Sequence, residues 1–130
     1  MRQVVTDTDT AAALGSGEVE VLGTPRLIAW LEAETVRVAA DRLDPRQTSV
    51  GTAITVRHRR PTPVGHAVEV SAILRAPVEG RRLVFEVSAV DATGALVADG
   101  TIERAIVDRA SFGHRASAPV REQPQRKERL

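Results

Sequence analysis

The chain has 130 residues, 42% of them hydrophobic and 27% charged, with a formal net charge of +1. That is the length of about one domain with the composition of a globular protein, which excludes collagen-like, membrane-spanning and wholly disordered classes. Cysteine is absent, so disulfides, thiolate metal sites and a Cys nucleophile are excluded as well.

The charge is uneven. Residues 1–110 carry thirteen Arg against fifteen acidic residues, whereas residues 111–130 carry five basic residues against two acidic ones. The aromatics are only Trp30, Phe85 and Phe112. A slightly acidic body with so few rings lacks the basic stripe and stacking platforms of a nucleic-acid surface, so no nucleic-acid partner is expected. The N-terminus has no basic stretch followed by an apolar one, and no apolar run approaches a membrane span. The expectation is a cytoplasmic protein without a membrane partner.

In chain order, Gln3–Thr10 alternates Val and Thr with Asp and predicts a short, polar edge strand. Ala11–Gly17 is small and glycine-rich, a turn or loop, and Glu18–Leu22 is a second short strand or an extended approach. Thr24-Pro25 then opens a helix, since Thr is a favoured N-cap and Pro suits the first helical position. Ile28, Leu31 and Val38 form its apolar stripe from Leu27 onward, with Trp30 and Ala33 beside it. Leu43-Asp44-Pro45 ends it. Pro25–Arg42 would be a rod of about 27 Å at about 1.5 Å per residue.

After Thr48 the pattern changes to period two between turn clusters, the mark of hairpin-linked antiparallel strands with one face on a core. Val50, Thr52, Ile54, Val56 and His58 would share one face, opposite Ser49, Gly51, Ala53, Thr55 and Arg57. Val68, Val70, Ala72 and Leu74 form the next inner face, then Leu83, Phe85, Val87 and Ala89. Leu96, Ala98, Gly100, Ile102, Arg104 and Ile106 form the last. The turns fall at Pro61–Gly65, Glu79-Gly80 and Asp91–Gly94. The architecture expected is α+β: one long helix wrapped by a mainly antiparallel sheet of five or six strands, within a single domain over residues 1–110. Residues 111–130 read as a polar, basic, flexible tail.

Several polar residues stand where chemistry can use them. Glu32 flanks the apolar helix stripe between Ile28 and Val36, where a boundary carboxylate pointing at water is the plain alternative. His58 shares a face with Ile54 and Val56, as a rim histidine or as a proton shuttle. Arg104 lies between Ile102 and Ile106, flipped outward by a bulge, held in an ion pair, or lining a site. Thr24 caps the helix, yet its hydroxyl proton stays free to donate beside a helix N-terminus. Arg57, Arg59 and Arg60 surround His58 as a solvated strand end or as forks for phosphate. His58, His66 and His114 lack ligand spacing, so no metal site is expected. Walker, GxGxxG and GxSxG patterns are all missing.

The joint order of Thr24, Glu32 and Gly51-Thr52-Ala53-Ile54 leading to His58 resembles the fluoroacetyl-CoA thioesterase family of hotdog-fold proteins. So do Pro61-Thr62-Pro63-Val64-Gly65, Glu79-Gly80-Arg81-Arg82-Leu83 and Gly100-Thr101-Ile102-Glu103-Arg104-Ala105; the resemblance runs from Val21 to Phe112. It implies a hotdog fold, a homodimer or higher oligomer whose sheets join edge to edge, and an active site between subunits. Thr24 and Glu32 of one chain would face His58 of the other. Thr24, Glu32 and His58 carry over as the catalytic set, and Gly51 and Arg104 as substrate-binding residues, beside Arg57, Arg59 and Arg60. The implied reaction is hydrolysis of an acyl-CoA to free acid and CoA, with no cofactor beyond the CoA of the substrate. The family's fluoroacetyl-selective member carries a longer, aromatic-rich lid before the helix. Ala11–Gly23 is short and without Phe, so a small or medium acyl group and a more open pocket are expected. The alternatives are a non-catalytic acyl-CoA or small-molecule binding hotdog protein, or a hotdog hydratase or dehydratase. The latter is disfavoured because no His lies between Met1 and Arg57.

Overall fold

A computed structural model describes residues 1–117. Its strands are β1 (Arg2–Val4), β2 (Gln47–His58), β3 (Ala67–Leu74), β4 (Arg82–Asp91) and β5 (Leu96–Asp108). Its helices are α1 (Ala11–Leu14), α2 (Thr24–Ala39) and α3 (Arg109–Ser117). The strands form one antiparallel sheet in the order β1-β3-β4-β5-β2. Its inner face wraps α2, as the sequence pattern predicts.

The boundaries carry corrections. The helix is α-helical only to Ala39 and tightens into a 3-10 turn over Ala40–Arg42. The first strand shrinks to three residues, because a 3-10 turn follows at Asp7–Asp9. Ala11–Leu14, expected as loop, is one helical turn in which the Thr10 hydroxyl accepts from the Ala13 N–H at 3.1 Å. Val21 and Leu22 form isolated bridges to Pro63 and Thr10 rather than a strand. Helix α3 takes up the start of the expected tail as far as Ser117; residues 118–130 lie outside the described residues.

Leu27 and Leu31 of α2 bury completely against Val68, Val70, Leu83, Phe85, Val87, Ala89, Val97 and Ile102. Each large side chain so buried contributes about 1.5–3 kcal/mol. The inner faces of β3 and β4 follow the predicted alternation. Two bulges break it elsewhere. Ala89 pairs with Ala98 but Val90 with Leu96, so Val97 is the extra residue; it is buried while Leu96, predicted inward, is exposed. Gly51 pairs with Arg104 but Ala53 with Glu103, so Thr52 is the extra residue in β2. An unpaired residue inverts the alternation beyond it. Ile54, Val56 and His58 therefore share the inner face with Ser49 and Gly51, and not with Val50 and Thr52 as predicted.

The sheet coils tightly where β2 crosses β5. A Cβ on Gly100 would lie 2.0 Å from the Thr55 carbonyl oxygen and 2.8 Å from the Val56 Cα. Both obstacles are backbone. Replacing Gly100 with Ala should therefore cost about 1–3 kcal/mol or more, the usual scale of overpacking, read as a lower urea midpoint. An unchanged midpoint would mean that the two strands can part without loss.

Candidate active site

Gly23, and not Thr24, occupies the cap of α2. The reason is tertiary: a Cβ at Gly23 would meet the Leu14 Cδ1 at 2.9 Å and the Ala11 backbone at 3.1 Å, so no capping side chain fits. Thr24 is thereby moved into the first helical turn, with Pro25 next, and its hydroxyl is left for other work. That hydroxyl lies 2.8 Å from Nδ1 of His58, the last residue of β2. The expectation is that Thr24 of one chain would face His58 of the other; here the two groups are in contact within one chain.

The remaining ring nitrogen of His58, Nε2, is buried and has no hydrogen-bond partner among the described residues. Burial lowers the His58 pKa from its ordinary 6.5, with the Arg60 backbone opposing. The imidazole is therefore neutral at pH 7, the state in which it can accept a proton. A hydroxyl within hydrogen-bond reach of a neutral imidazole is the arrangement of an activated nucleophile or of a water-positioning group.

Glu32 belongs to a second cluster. It lies eight residues beyond Thr24, about 12 Å along the axis at about 1.5 Å per residue. Its carboxylate reaches over β2, where a Cβ at Gly51 would be 3.0 Å from Oε2. Gly51 is thus the only kind of residue that leaves the carboxylate its seat. The Arg104 guanidinium stands 3.6 Å from Oε2 through its NH1 group. Arg104 is buried, and burial lowers its pKa from the ordinary value while Glu32 opposes the shift. It points inward, so the outward flip is excluded; the bulge in the neighbouring strand is what brings Gly51 and Ser49 to the same face. Its Nε donates to the Ser49 hydroxyl at 2.8 Å and its NH2 group to the Ser49 carbonyl at 2.9 Å. Ser49 is the residue that the sequence pattern missed, because alternation without the bulge assigns it to the outer face.

The arginines near His58 separate. Arg57 alternates with core-packed Val56 and is exposed on the outer face. Arg59 pairs with Asp99 at 2.6 Å and Arg60 with Asp91 at 3.4 Å. Arg59 and Arg60 nonetheless line a shallow cavity with Val21, His58 and Pro61. Among the described residues, no group of three or more His, Cys, Asp or Glu is placed to hold a metal ion.

Residues 5–110 match the family model of fluoroacetyl-CoA-specific thioesterases. The fluoroacetyl-CoA thioesterase of Streptantibioticus cattleyicolor is 43% identical over 93 residues, which cover 72% of this chain and 66% of that protein, just under two thirds of its length. A Phe→Ala variant of the fluoroacetyl-CoA-specific thioesterase FlK, solved with fluoroacetate and CoA, superposes with a TM-score of 0.81. It is 36% identical, over 89% of this chain and 94% of that one. A hot-dog-like protein from Thermanaerovibrio acidaminovorans gives a TM-score of 0.80 at 26% identity, over 89% and 84% of the two chains. With its matched sequence, its helix wrapped by five strands and its Thr–His contact, the chain belongs to the fluoroacetyl-CoA-specific thioesterase family and has the hotdog fold.

Proposed function

We infer that this protein is a thioesterase that hydrolyses a small or medium acyl-CoA to the free acid and CoA, working as a homodimer joined along β2. The observation that carries the reading is the 2.8 Å contact between the Thr24 hydroxyl and His58 Nδ1. In this reading the Thr24 oxygen adds to the thioester carbonyl carbon as His58 takes the hydroxyl proton. The C–S bond then breaks, and His58 returns the proton to the CoA sulfur. Water repeats the sequence on the acyl-threonine ester and releases the acid. A carboxylate beside the imidazole would stabilise the imidazolium formed in each half.

Among the described residues of one chain Glu32 does not supply that carboxylate, since it sits about two helical turns from Thr24. A second copy supplies it. Strand β2 is an edge of the sheet, 12 residues long, with no partner on its outer side among the described residues. Such edges are templates for pairing. The inner-face Ile54 is 40% exposed beside it, and Val36, one turn beyond Glu32 on α2, is 49% exposed. Antiparallel pairing of β2 with its own copy about a two-fold axis at Thr55, with the bulged Thr52 left out of the count, sets Gly51 opposite His58 of the partner subunit. Glu32, seated over Gly51, then faces the Thr24–His58 pair of the partner. Each dimer would hold two sites.

Arg59 and Arg60 flank the His58 cavity and suit the phosphates of CoA, exchanging part of their present pairing for that contact. The short segment before α2 carries no aromatic side chain, which favours unsubstituted small or medium acyl groups over a fluoroacetyl-only preference. A cytoplasmic location belongs to the same proposal; among the described residues no helix is long and apolar enough to cross a membrane.

A panel of acyl-CoAs, with thiol release followed by a chromogenic reagent, should show turnover; no thiol release from any of them would leave a binding protein. His58→Ala should lower kcat by at least ~10²-fold, the scale of a lost general base, with the circular dichroism spectrum unchanged. Full turnover in that variant would remove His58 from the reaction. The neutral imidazole is the active form, so kcat/KM should rise with pH and level off. Burial lowers the His58 pKa from 6.5 and a facing carboxylate raises it, so Glu32→Gln should move the midpoint of that rise to lower pH, and an unmoved midpoint would contradict the facing of the two groups. Light scattering should give twice the 14.0 kDa chain mass. Ile54→Arg should shift the mass toward one chain and abolish turnover together; a fully active monomer would defeat the shared-site reading.

A further inference from the structure

Arg104 has five N–H donors in a planar fork, and the structure shows what directs them. The Ser49 hydroxyl takes the Nε donor at 2.8 Å and the Ser49 carbonyl takes an NH2 donor at 2.9 Å. Both acceptors belong to one residue, so they fix the plane of the guanidinium and its rotation within that plane. What remains aimed at Glu32 is the NH1 edge, 3.6 Å from Oε2. Among the described residues no other cation forms an ion pair with Glu32. A side chain at Gly51 would meet the same carboxylate oxygen at 3.0 Å and NH1 at 3.6 Å, so the carboxylate is confined between strand backbone and guanidinium.

We propose that Ser49 is a positioning residue of the thioesterase site: by clamping Arg104 through both its hydroxyl and its carbonyl, it sets the orientation and charge environment of the Glu32 carboxylate. Ser49 itself touches no reacting atom in this scheme. It acts through Arg104 on Glu32, and the scheme rests on Glu32 belonging to the catalytic set. The bulge at Thr52 is what makes the clamp possible, since it turns Ser49 and Gly51 to the inner face together. Guanidinium is required for the role because an ammonium has no fork to be held in a plane.

The test is a double-mutant cycle on the full-length protein, with acyl-CoA hydrolysis as readout. Ser49→Ala removes the hydroxyl acceptor and keeps the carbonyl. It should lower kcat by about 10-fold, less than the ~10²-fold that 1 Å of misplacement can cost, and leave KM within about two-fold. Ser49→Thr keeps a hydroxyl at the same place on a strand and should restore kcat. In a Glu32→Gln background, Ser49→Ala should produce no further loss. Arg104→Lys, which keeps the charge and loses the fork, serves if Ser49→Ala does not fold; it too should lower kcat alone and add nothing to Glu32→Gln. An equal loss from Ser49→Ala or Arg104→Lys with and without Glu32→Gln overturns the proposal, as does wild-type kcat in Ser49→Ala or failure of Ser49→Thr to restore it. Wild-type turnover in Glu32→Gln alone would instead overturn the catalytic reading of Glu32 on which the proposal rests.

Discussion

The arrangement of polar groups depends on one unpaired residue. Thr52 has no partner on β5, while Gly51 pairs with Arg104 and Ala53 with Glu103. Without that insertion, strict alternation would put Ser49 and Gly51 on the opposite face from His58. With it, both ends of the strand present their functional residues to the same helix. The glycine beside the bulge gives the carboxylate of Glu32 room, and the serine two residues earlier holds the guanidinium that faces it. At the other end His58 meets the first turn of α2. A local irregularity thus resolves a geometrical conflict between a period-two strand and two clusters an odd number of residues apart.

The two clusters differ in electrostatic character. Around His58, burial disfavours the cation and keeps the ring neutral; the arginines that line its cavity, Arg59 and Arg60, are balanced by Asp99 and Asp91. Around Glu32, a buried guanidinium stands beside a half-exposed carboxylate. Removing water from a cation is costly unless acceptors replace it, and Ser49 supplies two. The proton-accepting end and the ionic end are therefore kept apart within one chain. That separation leaves the ring of a lone chain neutral, and in the proposed dimer it is the second copy that brings a carboxylate to stabilise the charged ring.

Much of this was legible in the residues. The faces of β3 and β4 follow from alternation alone, because Val68, Val70, Ala72 and Leu74, and Leu83, Phe85, Val87 and Ala89, run without insertion. The inward Arg104 and the boundary position of Glu32 are likewise visible in their spacing. What was hidden has physical reasons. A bulge adds a residue without changing composition, so alternation alone puts the first half of β2 and the start of β5 on the wrong face. The cap at Gly23 depends on Leu14 and Ala11 crowding it, a contact no local propensity reports. One turn of helix at Ala11–Leu14 is too short to show a period. The Thr24–His58 contact spans 34 residues and was expected across an interface, since the strand direction that closes it within the chain is a property of the whole sheet.

The segment ahead of α2 is anchored at both ends by its backbone. Ala11 N–H donates to the Val21 carbonyl at 2.8 Å, Leu22 N–H to that of Thr62 at 2.8 Å and Gly23 N–H to that of Asp9 at 2.8 Å. The Asp9 carboxylate in turn accepts from the Thr6 N–H at 2.8 Å and faces Arg26 at 3.0 Å. Val21, at the end of this knot, forms one wall of the cavity beside His58. A wall anchored in this manner resists displacement, so in the proposed thioesterase acyl groups would be sorted by how well they fit the shape of that aperture.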